Sequence, residues 1–168
     1  MFIAHAPAGY ICGSALADCF AKEERKGVLI SFLVGSVFPD VDMFYFYLID
    51  QGRHHHHHYW THLPIFWLGI LVLSSLIGLF SRTKRFAWIA ASFVGGVFLH
   101  LILDTPFAGI CWLYPLSDQI FHLITVPATR SWWVWSFVFH WSFLCEIAIC
   151  IAAVALYVRR NCRSRKKA

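Results

Sequence analysis

The chain has 168 residues, 59% hydrophobic, 18% aromatic and only 14% charged, with a mean hydropathy of +0.61. A soluble domain carries about 25% charged residues, so this balance excludes an ordinary soluble fold and points to an integral membrane protein. The formal charge of +5 does not indicate a nucleic-acid partner, because the basic residues form short blocks between apolar stretches and at the tail, as membrane-flanking charges do.

A membrane-crossing helix needs roughly 20 mainly apolar residues. The first candidate, residues 2–21 ("FIAHAPAGYICGSALADCFA"), is short and polar for the purpose, with Pro7, Gly9 and Gly13. It has no basic block ahead of it; "KEERK" follows instead, which favours a retained segment with its N-terminus outward over a cleaved signal peptide. Residues 28–50 form the next span, interrupted at "VFPDVDMF", where Pro39 removes a backbone donor and frees a carbonyl.

The histidine run "GRHHHHHYWTH" (residues 52–62) comes next. Purification tags sit at chain ends, whereas this run lies between two apolar stretches, so it is read as native. Spans follow at 63–80 and 86–104, then a connection over 105–131, then a span at 132–158 that is longer than needed and so implies tilt or a wet end. The tail "RRNCRSRKKA" closes the chain. The six cysteines form no C-x-x-C pair and mostly lie in apolar segments, where free cysteine packs as a small hydrophobe. The expected fold is therefore all-α: one polytopic membrane domain over 1–168, with four to five transmembrane helices.

Positive charge fixes the expected orientation. If residues 22–27, 81–85 and 159–168 are cytoplasmic, that side holds twelve of the 14 basic residues, and only Arg53 and Arg130 lie opposite. The histidine run and the 105–131 connection then face outward, and the basic tail is cytoplasmic, where it can also touch anionic lipid.

Ionisable residues within spans are costly and are functional candidates by default. They are His5, Asp40, Asp42, His100, Asp104, His140 and Glu146, and most fall in the outer half of their spans. Two close carboxylates, Asp40 and Asp42, repel unless a cation or proton neutralises them; the alternative, that both cap a helix start after Pro39, meets the objection that one cap needs only one aspartate. "HLILD" sets His100 and Asp104 at i and i+4 on one helix face, within reach of one ion. The plain alternative is a helix-end histidine with an aspartate exposed to water. From the run, His57 and His62 are the expected ligands, with His58 contacting substrate or supporting the ligands; His54, His55 and His56 read as solvated. His140 and Glu146, six apart, read as structural, and His122 as a surface residue.

The order His5, "PDVD", "HHYWTH", "HLILDTPFAGICWLYPLSD" resembles bacterial inner-membrane metal-dependent hydrolases of the YdjM type, over residues 5 to about 118. In that family the loop reads histidine, arginine, two residues, then Thr-His-Ser. His57, Thr61 and His62 match it, while His58 stands where arginine is usual and Leu63 where serine is usual. A histidine cannot grip a phosphate bidentately as arginine does. The family is in turn similar to zinc-dependent phospholipases C and nucleases, which use an H-x-x-x-D pair like His100 and Asp104.

The resemblance implies a divalent metal, zinc with manganese as the alternative, held near the outer face. Its ligands would be His5, Asp40, Asp42, His57, His62, His100 and Asp104, with Asp42 and His58 in catalytic roles, Asp42 as bridging ligand or general base. A site at that depth suits an amphipathic or lipid-linked phosphoester. The tryptophans Trp132, Trp133 and Trp135 read as an interfacial anchor. A metal transporter or sensor without hydrolytic activity is the competing expectation, but transport needs polar groups continuing inward, and only Glu146 lies deep. A non-catalytic scaffold with a histidine pH switch leaves the buried aspartates without a purpose.

Overall fold

A computed structural model describes residues 3–51, 53, 58–80 and 84–165, with the side chains of Trp133, Ser164 and Arg165 outside the description. Its architecture is helical: α1 (His5–Asp18), α2 (Lys22–Gly35), α3 (Asp42–Tyr45), α4 (Pro64–Phe80), α5 (Arg85–Asp104), α6 (Trp133–Val138) and α7 (Ser142–Arg165). Among the described residues there is no strand, only one antiparallel bridge between Ile110 and Phe121 in the connection after α5. The all-α expectation holds.

The number of spanning helices does not. Four to five were expected; the described residues contain two helices long and apolar enough, Arg85–Asp104 and Ser142–Arg163, or three if a bent pair counts as one. That pair is Lys22–Gly35 with Phe38–Asp50, bent by 50°. The bend falls where a 3₁₀ turn, Phe38–Val41, carries Pro39 in its first positions, and a π turn, Phe46–Asp50, continues beyond α3. α4 has 17 residues, about 25 Å at 1.5 Å per residue, short of a hydrocarbon core of about 30 Å. α1, with 14, is shorter still. The expected 132–158 segment is split between α6 and α7, where the Ser142 backbone N–H donates to His140 Nδ1 at 3.3 Å and the Ser142 hydroxyl pairs with the same atom at 2.8 Å. His140 thus opens α7, the structural role expected of it.

The core is a small cluster of Trp67, Val94, Val97, Leu101 and Ile110, linking α4, α5 and the connection after α5. α2 and α5 approach backbone to backbone. A Cβ on Gly35 would lie 2.1 Å from the Phe93 carbonyl oxygen, and one on Gly96 would lie 2.1 Å from that of Phe32. Such small-residue contacts are how helices pack where lipid removes the hydrophobic drive. Large apolar side chains point outward instead, among them Leu73, Leu79 and Phe80 on α4 and Leu144, Ile151 and Val154 on α7. In water that surface would be an aggregation hazard; in a bilayer it is solvated.

The six cysteines are free; Cys12, Cys19, Cys145 and Cys162 are exposed and Cys111 is buried, and burial pushes the Cys111 thiol up, with Asp118 adding to the effect. The ends of the helices sort by chemistry. α1 begins, α2 ends and α5 ends at one end of the bundle. At the other, Arg25 and Arg160 reach Asp18 at the close of α1.

Candidate metal centre

Four segments converge at the first of those ends. α5 contributes His100 and Asp104 from successive turns, with His100 Nε2 3.2 Å from Asp104 Oδ2. The 3₁₀ turn after α2 contributes Asp40, whose Oδ1 lies 3.6 Å from His100 Nε2. A second 3₁₀ turn, Trp60–His62, contributes His62, with Nε2 3.9 Å from Asp104 Oδ2. Asp40, His62, His100 and Asp104 each offer one donor atom, and these atoms all lie within 4.8 Å of one another.

The fourth segment is α1. Its His5 stacks on His100, ring centroids 3.8 Å apart, and sets Nδ1 3.2 Å from Asp40 Oδ2 and Nε2 3.1 Å from Asp104 Oδ1. His5 therefore touches the oxygens of both carboxylates that turn away from His100. A neutral imidazole carries one N–H and can donate to only one of them, so the other contact sets a lone pair against a carboxylate oxygen. A shared proton or cation resolves that conflict.

Each of the two inner imidazoles has its tautomer set by the bond its other nitrogen makes. A backbone carbonyl only accepts, so at 3.0 Å from Ser36 O the His100 Nδ1 carries the proton, and Nε2 turns a lone pair to the group. That Nε2 is buried and has no hydrogen-bond partner among the described residues. His62 does the same through Asp42: its Nδ1 lies 2.8 Å from Asp42 Oδ2, which also accepts from the Thr61 hydroxyl. Trp67 pins the turn by donating from Nε1 to the Thr61 carbonyl at 2.8 Å.

The donor set fits a divalent ion. Ligand bonds of about 2.0–2.2 Å around a tetrahedral ion place donor atoms about 3.4 Å apart, and the separations above straddle that value. Two imidazoles with two carboxylates suit zinc or a similar first-row ion. Carboxylate and carbonyl partners behind the imidazoles are the arrangement that orients metal-binding histidines. Burial is uneven: the side chains of His62, His100 and Asp104 are 0%, 0% and 2% exposed, against 39% for Asp40. Among the described residues, Asp40 is the open side of the group.

Of the residues singled out in sequence, Asp40, His62, His100 and Asp104 come together, with His5 beside them. Asp42 stands behind His62; its Oδ1, buried and without a hydrogen bond among the described residues, is the atom that a bridging or base role would use. His58 is exposed, four positions ahead of His62. His57 lies outside the described residues, as do His54, His55 and His56. Among the expected interfacial tryptophans, Trp132 and Trp135 are about half exposed, 51% and 49%. Ser36 and Trp67 carried no role in the sequence reading, and Thr61 entered it only as a match to the family's loop. Ser36 acts through its backbone, and a carbonyl leaves no signature in residue type.

No curated protein and no solved structure matches the chain. The family described as YdjM inner membrane protein matches residues 1–164, spanning the apolar helices and every side chain of the histidine–aspartate group. The protein is thus a member of the YdjM inner membrane protein family.

Proposed function

We propose that this protein is a membrane-bound, metal-dependent hydrolase acting on a phosphoester of an amphipathic or lipid-linked substrate. In this reading the chain crosses the inner membrane several times, and the site lies near the outer face. The observation that carries it is the convergence of Asp40, His62, His100 and Asp104, with donor atoms within 4.8 Å, from three separate segments of an otherwise apolar chain. Zinc bound there would lower the pKa of a coordinated water towards neutrality and supply hydroxide for attack. The residues do the rest. Ser36 and Asp42 hold the two imidazoles in the ligating tautomer, burial keeps bulk water from His62, His100 and Asp104, and Asp40 stands at the open edge where a substrate enters.

That edge supports a lipid-facing approach. Val37, Val41 and Phe44 flank Asp40 in sequence and are exposed. An apolar rim beside a carboxylate suits a substrate that arrives from the bilayer with its head group leading.

Elemental analysis of purified protein tests the metal half: wild type should carry a stoichiometric divalent ion, and Asp40→Asn and His100→Ala should insert normally but lose it. Undiminished metal in both variants would sink the ligand assignment. A panel of lipid phosphoesters with added zinc or manganese tests the enzyme half. Turnover unaffected by chelation, or none with metal bound, would remove hydrolysis.

A further inference from the structure

Glu146 is fully buried in α7, a helix otherwise apolar over its spanning part. A carboxylate at that depth is strongly disfavoured unless donors surround it. Here it has them: Oε2 accepts from the backbone N–H of Ile3 at 2.5 Å and of Ala4 at 3.0 Å. These two amides stand at the entrance of α1, whose N-cap is Ala4 and makes no side-chain cap bond of its own. The amide of the N-cap residue has no acceptor within its own helix, and a negative charge at that end is favoured by the helix dipole. α7 thus supplies by tertiary contact an acceptor for the two amides that lead into α1.

The next residue is His5. Ala4 is 0% exposed and His5 only 2%, so neither has room to move independently. We propose that Glu146 is a positioning residue for the metal centre: by fixing the Ile3 and Ala4 amides, it holds His5 against the Asp40 and Asp104 carboxylates and so sets the geometry of the oxygens that face the ion. The chain of contacts is Glu146 to Ala4, Ala4 to His5, and His5 to both aspartates. This rests on the metal reading of the histidine–aspartate group.

The same helix offers an internal comparison. Fourteen positions further along α7, Arg160 Nη2 reaches Asp18 Oδ2 at 2.5 Å and the Ser14 carbonyl at 3.4 Å. α7 therefore grips α1, itself 14 residues long, at both ends, an acid at its start and a base at its close. Both grips hold the helices together. Only the first adjoins His5.

The test compares Glu146→Ala, Glu146→Gln and Arg160→Ala in the full-length protein in detergent, reading zinc affinity by chelator competition beside the thermal midpoint. Glu146→Ala should weaken zinc binding roughly tenfold or more, as loss of outer partners of metal ligands does. Glu146→Gln keeps an oxygen acceptor and should recover affinity to within about threefold of wild type. Arg160→Ala should lower the midpoint yet leave affinity within about twofold, since its contacts end far from His5. Unchanged affinity in Glu146→Ala, or equal losses in Glu146→Ala and Arg160→Ala, would overturn the proposal. If the wild type takes up no zinc, the metal reading fails by itself, and hydrogen exchange decides the positioning. Glu146→Ala should then speed exchange of the Ala4 amide and leave the Ala17 and Asp18 amides as they were; no change at Ala4 would refute it.

Discussion

His62 donates from Nδ1 to Asp42, and that bond decides which nitrogen faces the rest of the group. Replacing Asp42 by asparagine keeps an acceptor but removes the charge that strengthens the bond orienting the His62 ring. Asp42→Asn should therefore fold normally and bind zinc about 10- to 100-fold more weakly in chelator competition. Complete loss, equal to that of His100→Ala, would instead make Asp42 a direct ligand. The difference between Asp40 and Asp42 shows what sequence conveys at this scale. "HLILD" was legible because a helix fixes i and i+4 on one face whatever surrounds it. "PDVD" was legible as two costly acids but not in its division of labour. Two positions along a 3₁₀ or α turn rotate a side chain by about 200–240°, so Asp40 and Asp42 must point apart. Which of them joins the histidine–aspartate group depends on where His62 lands, and sequence spacing alone does not fix that.

The contact between α2 and α5 carries the site more directly than any single ligand. Ser36 follows Gly35, and His100 lies one turn beyond Gly96, so the Ser36–His100 hydrogen bond spans the point where the two backbones touch. A methyl at Gly96 would meet the Phe32 carbonyl oxygen at 2.1 Å and the Ser36 amide nitrogen at 2.8 Å, and backbone atoms cannot rotate aside. Gly96→Ala should thus force the helices apart, costing about 1–3 kcal/mol or more as overpacking does, and should lower zinc affinity with it. Gly69→Ala in α4 meets nothing within 4 Å and is the matched control, expected to leave both the thermal midpoint and the metal unchanged. A Gly96→Ala protein with wild-type affinity would separate the site from this contact. Helix positions were readable from hydropathy, and the break at Pro39 from its chemistry. The split between α6 and α7 was not, because the bonds from Ser142 to His140 are local hydrogen bonds within a run that hydropathy scores as continuous.

At the scale of the whole molecule, two independent patterns agree. α1, α2 and α5 bring the histidine–aspartate group to one end of the bundle, while Lys22, Arg25, Lys26, Lys84, Arg85, Arg159 and Arg160 sit at the helix ends opposite it. If positive charge marks the cytoplasmic side, the group must face away from the cytoplasm, and the substrate of the proposed reaction would reach it from the outer leaflet or beyond. The inference is sensitive to one measurement. In a cysteine-free background, Cys162 restored alone near the C-terminal tail should resist a membrane-impermeant maleimide in intact spheroplasts and react after lysis. Leu123→Cys, on an exposed position of the connection after α5, should react in both. The reverse pattern would turn the site towards the cytoplasm and leave its four ligands in place. The proposed hydrolase would then have to draw on soluble or inner-leaflet phosphoesters, and the exposed apolar residues flanking Asp40 in sequence would open onto the opposite leaflet from the one argued for them.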